Sequence, residues 1–160
     1  MQADAFALIE SELVASGLFK SESVPAMMAA IRANSPPFTP VNANLILGKK
    51  ARPDSERARI SLGDCLASDR PRGHDPATFL QDTCTRCSNI ARNQQSLIDM
   101  RDLGIKSVRV TFVKNTGSCA KVKKLTGSYP IDEVPLLPLS DCNAKRCFCG
   151  YKSVIPGLED

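Results

Sequence analysis

Three cysteines stand within eight residues near the end of this 160-residue chain, Cys142-Asn-Ala-Lys-Arg-Cys147-Phe-Cys149, and a fourth, Cys119, follows an alternating segment upstream. Seven cysteines is an odd number, and Cys147 and Cys149 are too close to pair comfortably with each other, so a closed disulfide framework is not expected. The cysteines are expected as ligands or core residues in a reducing compartment. Cys119, Cys142, Cys147 and Cys149 read together as a four-thiolate site suited to structural Zn²⁺, which is redox-inert and closed by sulfur ligands in such centres. Four thiolates on one Zn²⁺ carry a formal charge of about −2. Lys121, Lys123, Lys124, Lys145 and Arg146 lie close enough in sequence to offset it. An iron–sulfur cluster accepts four thiolates as well, but the spacings are not those of ferredoxins. The alternative leaves these residues as unligated thiols in a cysteine-rich tail.

The length fits one compact domain of ordinary size with an attached helical arm. With no tryptophan, six phenylalanines and two tyrosines, its core is expected to be mainly aliphatic. Asp4, Glu10 and Glu12 interrupt the first apolar stretch and no basic residue precedes it, so no secretory signal is expected. No run is long enough to span a membrane. These features point to a cytoplasmic protein in a reducing compartment rather than a secreted one. Charge is uneven: residues 1–47 hold two basic and four acidic side chains, 48–127 sixteen and eight, and 128–160 three and five. A basic middle is attracted to nucleic acid or to an acidic protein surface, and it also serves solubility and offsets a negative metal centre.

Hydrophobic spacing predicts a helix from Ala3 to Ser16 that Gly17 stops, and a second with Ser23 as cap and Pro25 in its first turn. Asn34-Ser-Pro-Pro-Phe-Thr-Pro40 then ends regular structure. Arg57–Leu62 alternates in the manner of a half-buried strand, within basic, loop-like surroundings that contain the lone Cys65. The strongest helix starts after Asp75 with Pro76 in its first position and runs to about Leu103, before Gly104. Its apolar stripe includes Leu80, Cys84, Cys87, Ala91 and Ile98. Cys84 and Cys87 share a helical face; buried core thiols are the better reading, and a second metal or redox site stays open beside it. Val108, Val110 and Phe112 alternate with polar residues as an amphipathic strand. Asn115-Thr-Gly-Ser118 reads as a turn, and Pro130, Pro135 and Pro138 hold an extended run that returns the chain to the cysteines.

The expected fold is therefore α+β: a helical arm at 1–47, a basic linker or long loop at 48–75, and at 76–160 one long helix with a small antiparallel β region knotted by the cysteine metal site. The succession of a long helix, Gly104-Ile-Lys-Ser-Val-Arg-Val-Thr-Phe112, Ser118-Cys119, Leu125-Thr-Gly127, Ile131-Asp-Glu-Val-Pro135 and a terminal Cys-x-Cys resembles the C-terminal module of the phage Mu F-type head morphogenesis (minor capsid) proteins. The resemblance spans about residues 85–155 and implies virion head assembly. Cys119, Cys147 and Cys149 match the family's ligand positions. Val122 stands where the family has its other cysteine, no histidine precedes Cys147, and Cys142 supplies the fourth thiol by inference.

The residue patterns give an enzyme little to work with. The single histidine, His74, precedes Asp75-Pro76 with no recognisable nucleophile motif, and no GxxxxGK or GxGxxG phosphate cradle occurs. Asp132 and Glu133 are adjacent and point to opposite faces of an extended segment. Two classes remain. One is a non-enzymatic structural or assembly protein, a phage head or connector component contacting other subunits, with structural zinc. The other is a basic, zinc-dependent nucleic-acid-binding module.

Overall fold

The computed structural model describes residues 4–34, 60–113, 120–125, 127–139, 142, 144 and 147–157. The fold is α+β, with helices and one three-stranded antiparallel sheet. The chain divides into two units, residues 4–88 and residues 89–160. The boundary falls inside the longest helix. Each unit has its own apolar cluster.

In the first unit, α1 (Ala5–Ala15) begins where the Asp4 carboxylate accepts the Phe6 amide. It ends before Gly17, whose φ of 63° is left-handed and favours glycine. A short 3₁₀ turn at Ser21–Ser23 leads into α2 (Val24–Asn34), where Ser23 was expected only as a cap. Residues 57–59 of the anticipated strand lie outside the described residues, and Leu62 is not extended but opens a four-residue helix, α3 (Leu62–Cys65). The chain pairs one step later. Phe19 and Leu66 form an isolated antiparallel bridge, with the Lys20 amide donating to the Cys65 carbonyl and the Ala67 amide to that of Leu18. Two short segments joined by these bonds satisfy backbone groups that neither could satisfy alone.

Leu13, Met27, Met28, Ile31 and Leu80 are the fully buried centre of this unit, with Cys65, Cys84 and Cys87 packed among them. The helices anticipated as an arm thus turn their apolar faces into a core completed by α3 and the first half of the long helix. A 2.7 Å ion pair joins Glu12 to Arg86 at the rim.

The long helix, α4 (Pro76–Asp102), starts where Asp75 accepts from both the amide and the hydroxyl of Thr78. Gly104, with φ of 74°, receives its end. In the second unit the chain then enters β1 (Ser107–Thr111), the central strand, flanked by β2 (Ser128–Pro130) and β3 (Gly150–Val154). Arg109 lies opposite Ser128 on one side and Lys152 on the other. Val108 and Val110 face the core beside Leu97, Val122, Ile131 and Leu137, while Arg109 and Thr111 face solvent. Val122–Lys124 forms a 3₁₀ turn. The anticipated turn at 115–118 and the basic stretch 48–59 lie outside the described residues.

Candidate metal centre

The terminal cysteines are set by the second half of α4. Alternation from the buried Cys147 through the exposed Phe148 to the buried Cys149 continues the pleat of β3 backward, so both thiols lie on one side of the segment. Their carbonyls are held by two buried asparagines one helical turn apart. The Asn89 side-chain amide donates to the Cys147 carbonyl at 2.5 Å, and that of Asn93 donates to the Cys149 carbonyl at 2.9 Å. The Asn89 side-chain oxygen in turn accepts from Arg92 at 2.7 Å, which fixes the orientation of the amide. Strand carbonyls two residues apart point the same way, and helix side chains four apart share a face. The two spacings match, and the helix clasps the segment at both cysteine carbonyls.

Cys147 and Cys149 are 1% and 2% exposed, within the apolar cluster that contains Val108, Val110 and Val122. Cys142 is half-buried against the same cluster, its amide donating to the Leu139 carbonyl. Tyr151 braces the chain that leads there: its hydroxyl donates to the Pro135 carbonyl at 2.9 Å and accepts from the Leu137 amide at 2.8 Å. Burial is the main cause that pushes its pKa up to about 12.

Of the four anticipated ligands, Cys142, Cys147 and Cys149 thus share one core cluster, and Cys119 lies outside the described residues, as do Lys145 and Arg146. Among the described residues no group of three or more His, Cys, Asp or Glu side chains is gathered closely enough to hold a metal ion. Cys147 and Cys149 are soft donors in a water-poor setting, and two thiols do not by themselves make up a metal site.

Cys84 and Cys87 sit in the other unit, each 1% exposed. Burial above all raises their pKa values to about 12 and about 11. A thiol held neutral in this way is a poor nucleophile and a poor ligand, so core packing describes them better than redox chemistry. Cys65 is buried too, its pKa raised chiefly by burial while a hydrogen bond with Ser23 lowers it. His74 is exposed in the loop before α4.

The asparagines are the residues that sequence reasoning overlooked. The available signal was a pair of amides at i and i+4 in mid-helix, where asparagine is a poor helix former and a solvent-facing position needs no amide. Comparison with protein-family models, curated proteins and solved structures found no match for this chain. No helix among the described residues is long and apolar enough to cross a membrane.

Proposed function

We propose that this chain is a non-enzymatic structural protein of a larger assembly, whose C-terminal unit is held by a structural Zn²⁺ bound through Cys119, Cys142, Cys147 and Cys149. The observation that carries the reading is the double asparagine clasp on Cys147-Phe-Cys149: it devotes buried hydrogen bonds to orienting the cysteine segment within a core. Metal ligands are commonly oriented by such outer hydrogen bonds, and a reactive thiol would need an exposed, electropositive setting instead. A zinc closed by four thiolates has no open position for water, so its contribution is to folding. The resemblance to phage head morphogenesis proteins supports assembly into a virion head or connector, with other subunits as partners.

The test is elemental mass spectrometry on protein purified without added metal, with unfolding followed before and after chelation. One zinc per chain, lost together with stability, is the expected result. Cys147→Ser and Cys149→Ser should lower the melting temperature far more than Cys65→Ser. Metal-free protein of full stability, or equal melting temperatures for the three variants, overturns the zinc reading. Peptide mass spectrometry of virus particles from the source culture tests the virion role separately, and absence of the chain from particles overturns it.

A further inference from the structure

The solvated face of the sheet is unusual in what it sets side by side. Arg109 on β1 and Lys152 on β3 are direct cross-strand partners, both exposed. Like charges at such positions repel and cost stability. Neither has an ion-pair partner among the described residues, and the other neighbour of Arg109, Ser128, is neutral. By chain alternation Phe148, 40% exposed, falls on the same side as Lys152, with the half-buried Gly150 between them set against Asn93. They are four positions apart, about 13 Å along an extended chain, with Phe148 two residues before β3. Val113, 49% exposed, extends the β1 alternation onto this face as well.

The charge of the whole chain has the same location. Residues 89–160 hold eleven basic and seven acidic side chains, whereas residues 1–88 hold ten of each, so the net +4 belongs to the unit that contains the sheet. A cationic pair with no ion-pair partner among the described residues asks for an anion, and an exposed aromatic ring two residues before the strand asks for a flat apolar partner. One ligand class supplies both, because a single-stranded nucleic acid carries phosphates along its backbone and unstacked bases beside them. A duplex hides its base faces and would use only the charges.

We infer that the β1–β3 face is a binding surface for single-stranded nucleic acid, with Arg109 and Lys152 meeting backbone phosphates and Phe148 stacking a base. This goes beyond the structural role proposed above and does not depend on whether the cysteines hold a metal. Because the basic pair and the ring contribute by different physics, they are separable by salt. Removing one cation that meets a phosphate lowers the magnitude of the log K against log [salt] slope by about 0.7 on single strands, whereas removing a stacked ring leaves the slope alone.

The experiment is fluorescence anisotropy of the full chain with labelled oligo-dT of twenty nucleotides, and with a duplex of equal length, over a salt series. Expected is tighter binding of the single strand. The double variant Arg109→Gln/Lys152→Gln should lose at least tenfold in affinity and about 1.4 in slope. Its melting temperature should not fall, since a repulsive pair has been removed. Phe148→Ala should lose roughly five- to a hundredfold with the slope unchanged. Arg72→Gln, an exposed basic residue of the other unit, should bind as wild type. No binding to the single strand overturns the inference. So does equal affinity for duplex with Phe148→Ala neutral, or a double variant that binds normally.

Discussion

Cys84 and Cys87 show how little a motif means without its surroundings. Their spacing is that of redox and metal-binding pairs, yet both thiols are packed in a cluster with Leu80, Met27 and other apolar side chains and are held neutral by burial. A pKa raised on folding makes stability depend on pH with a definite sign. Below an ordinary thiol pKa of about 9 both states keep the proton, and the contribution is fully present. Above it the unfolded chain releases protons that the folded one retains, so stability falls as pH rises from about 9 toward 12. Urea unfolding at intervals above pH 8.5 should show this fall, and Cys84→Ala should show a shallower one. Parallel curves for the two proteins would remove the role assigned to burial. In the native protein neither thiol should react with maleimide under conditions that label an exposed cysteine.

Between α4 and the segment leading into β3 the interaction is polar, and that changes what a substitution costs. Leu97 and its neighbours contribute apolar burial, while Asn89 and Asn93 answer the carbonyls of two buried cysteines. The outer side of an edge strand is normally an exposed row of unpaired groups. Here helix side chains bond to the segment that leads into it. Removing the donor from the Cys147 carbonyl should cost about 1–3 kcal/mol, so Asn89→Ala should lower the denaturation midpoint accordingly. Asn89→Asp should be at least as damaging, because it sets a carboxylate against a carbonyl. Arg92→Ala, which removes only the more exposed partner of the same amide, should cost less than about 1 kcal/mol. A loss from Arg92→Ala equal to that from Asn89→Ala would mean that the clasp is not where the energy resides.

At the scale of the molecule, two apolar clusters share one continuous helix, with the boundary between Ser88 and Asn89. All four proposed ligands belong to residues 89–160, and the cluster around Met27, Met28 and Leu80 contains none of them. Metal and folding should therefore be coupled in one unit more strongly than in the other. Methyl NMR during titration with a chelator should lose the dispersed Val108, Val110 and Leu97 signals first and retain those of Met27 and Met28. Simultaneous loss of both sets would show a single cooperative unit and refute the uneven coupling.

What the sequence by itself determined is the placement of the three longer helices and of the central strand. The periodicity of 76–102, the Asp75 cap, the Gly17 and Gly104 stops and the alternation at 108–112 are local instructions, carried by side-chain preference and backbone sterics within a few residues. Cys147 and Cys149, which the spacing singled out as ligands, are buried in the second apolar cluster. Only the tertiary structure decided the rest. Strand β3 exists because β1, far upstream, offers it a partner, and Leu62 turns into a helix where local alternation suggested a strand. The asparagine clasp joins residues 58 and 56 positions apart. The pairing of Arg109 with Lys152 follows from register alone. Such features depend on which distant segments lose their conformational freedom together, and no window of neighbouring residues contains that information.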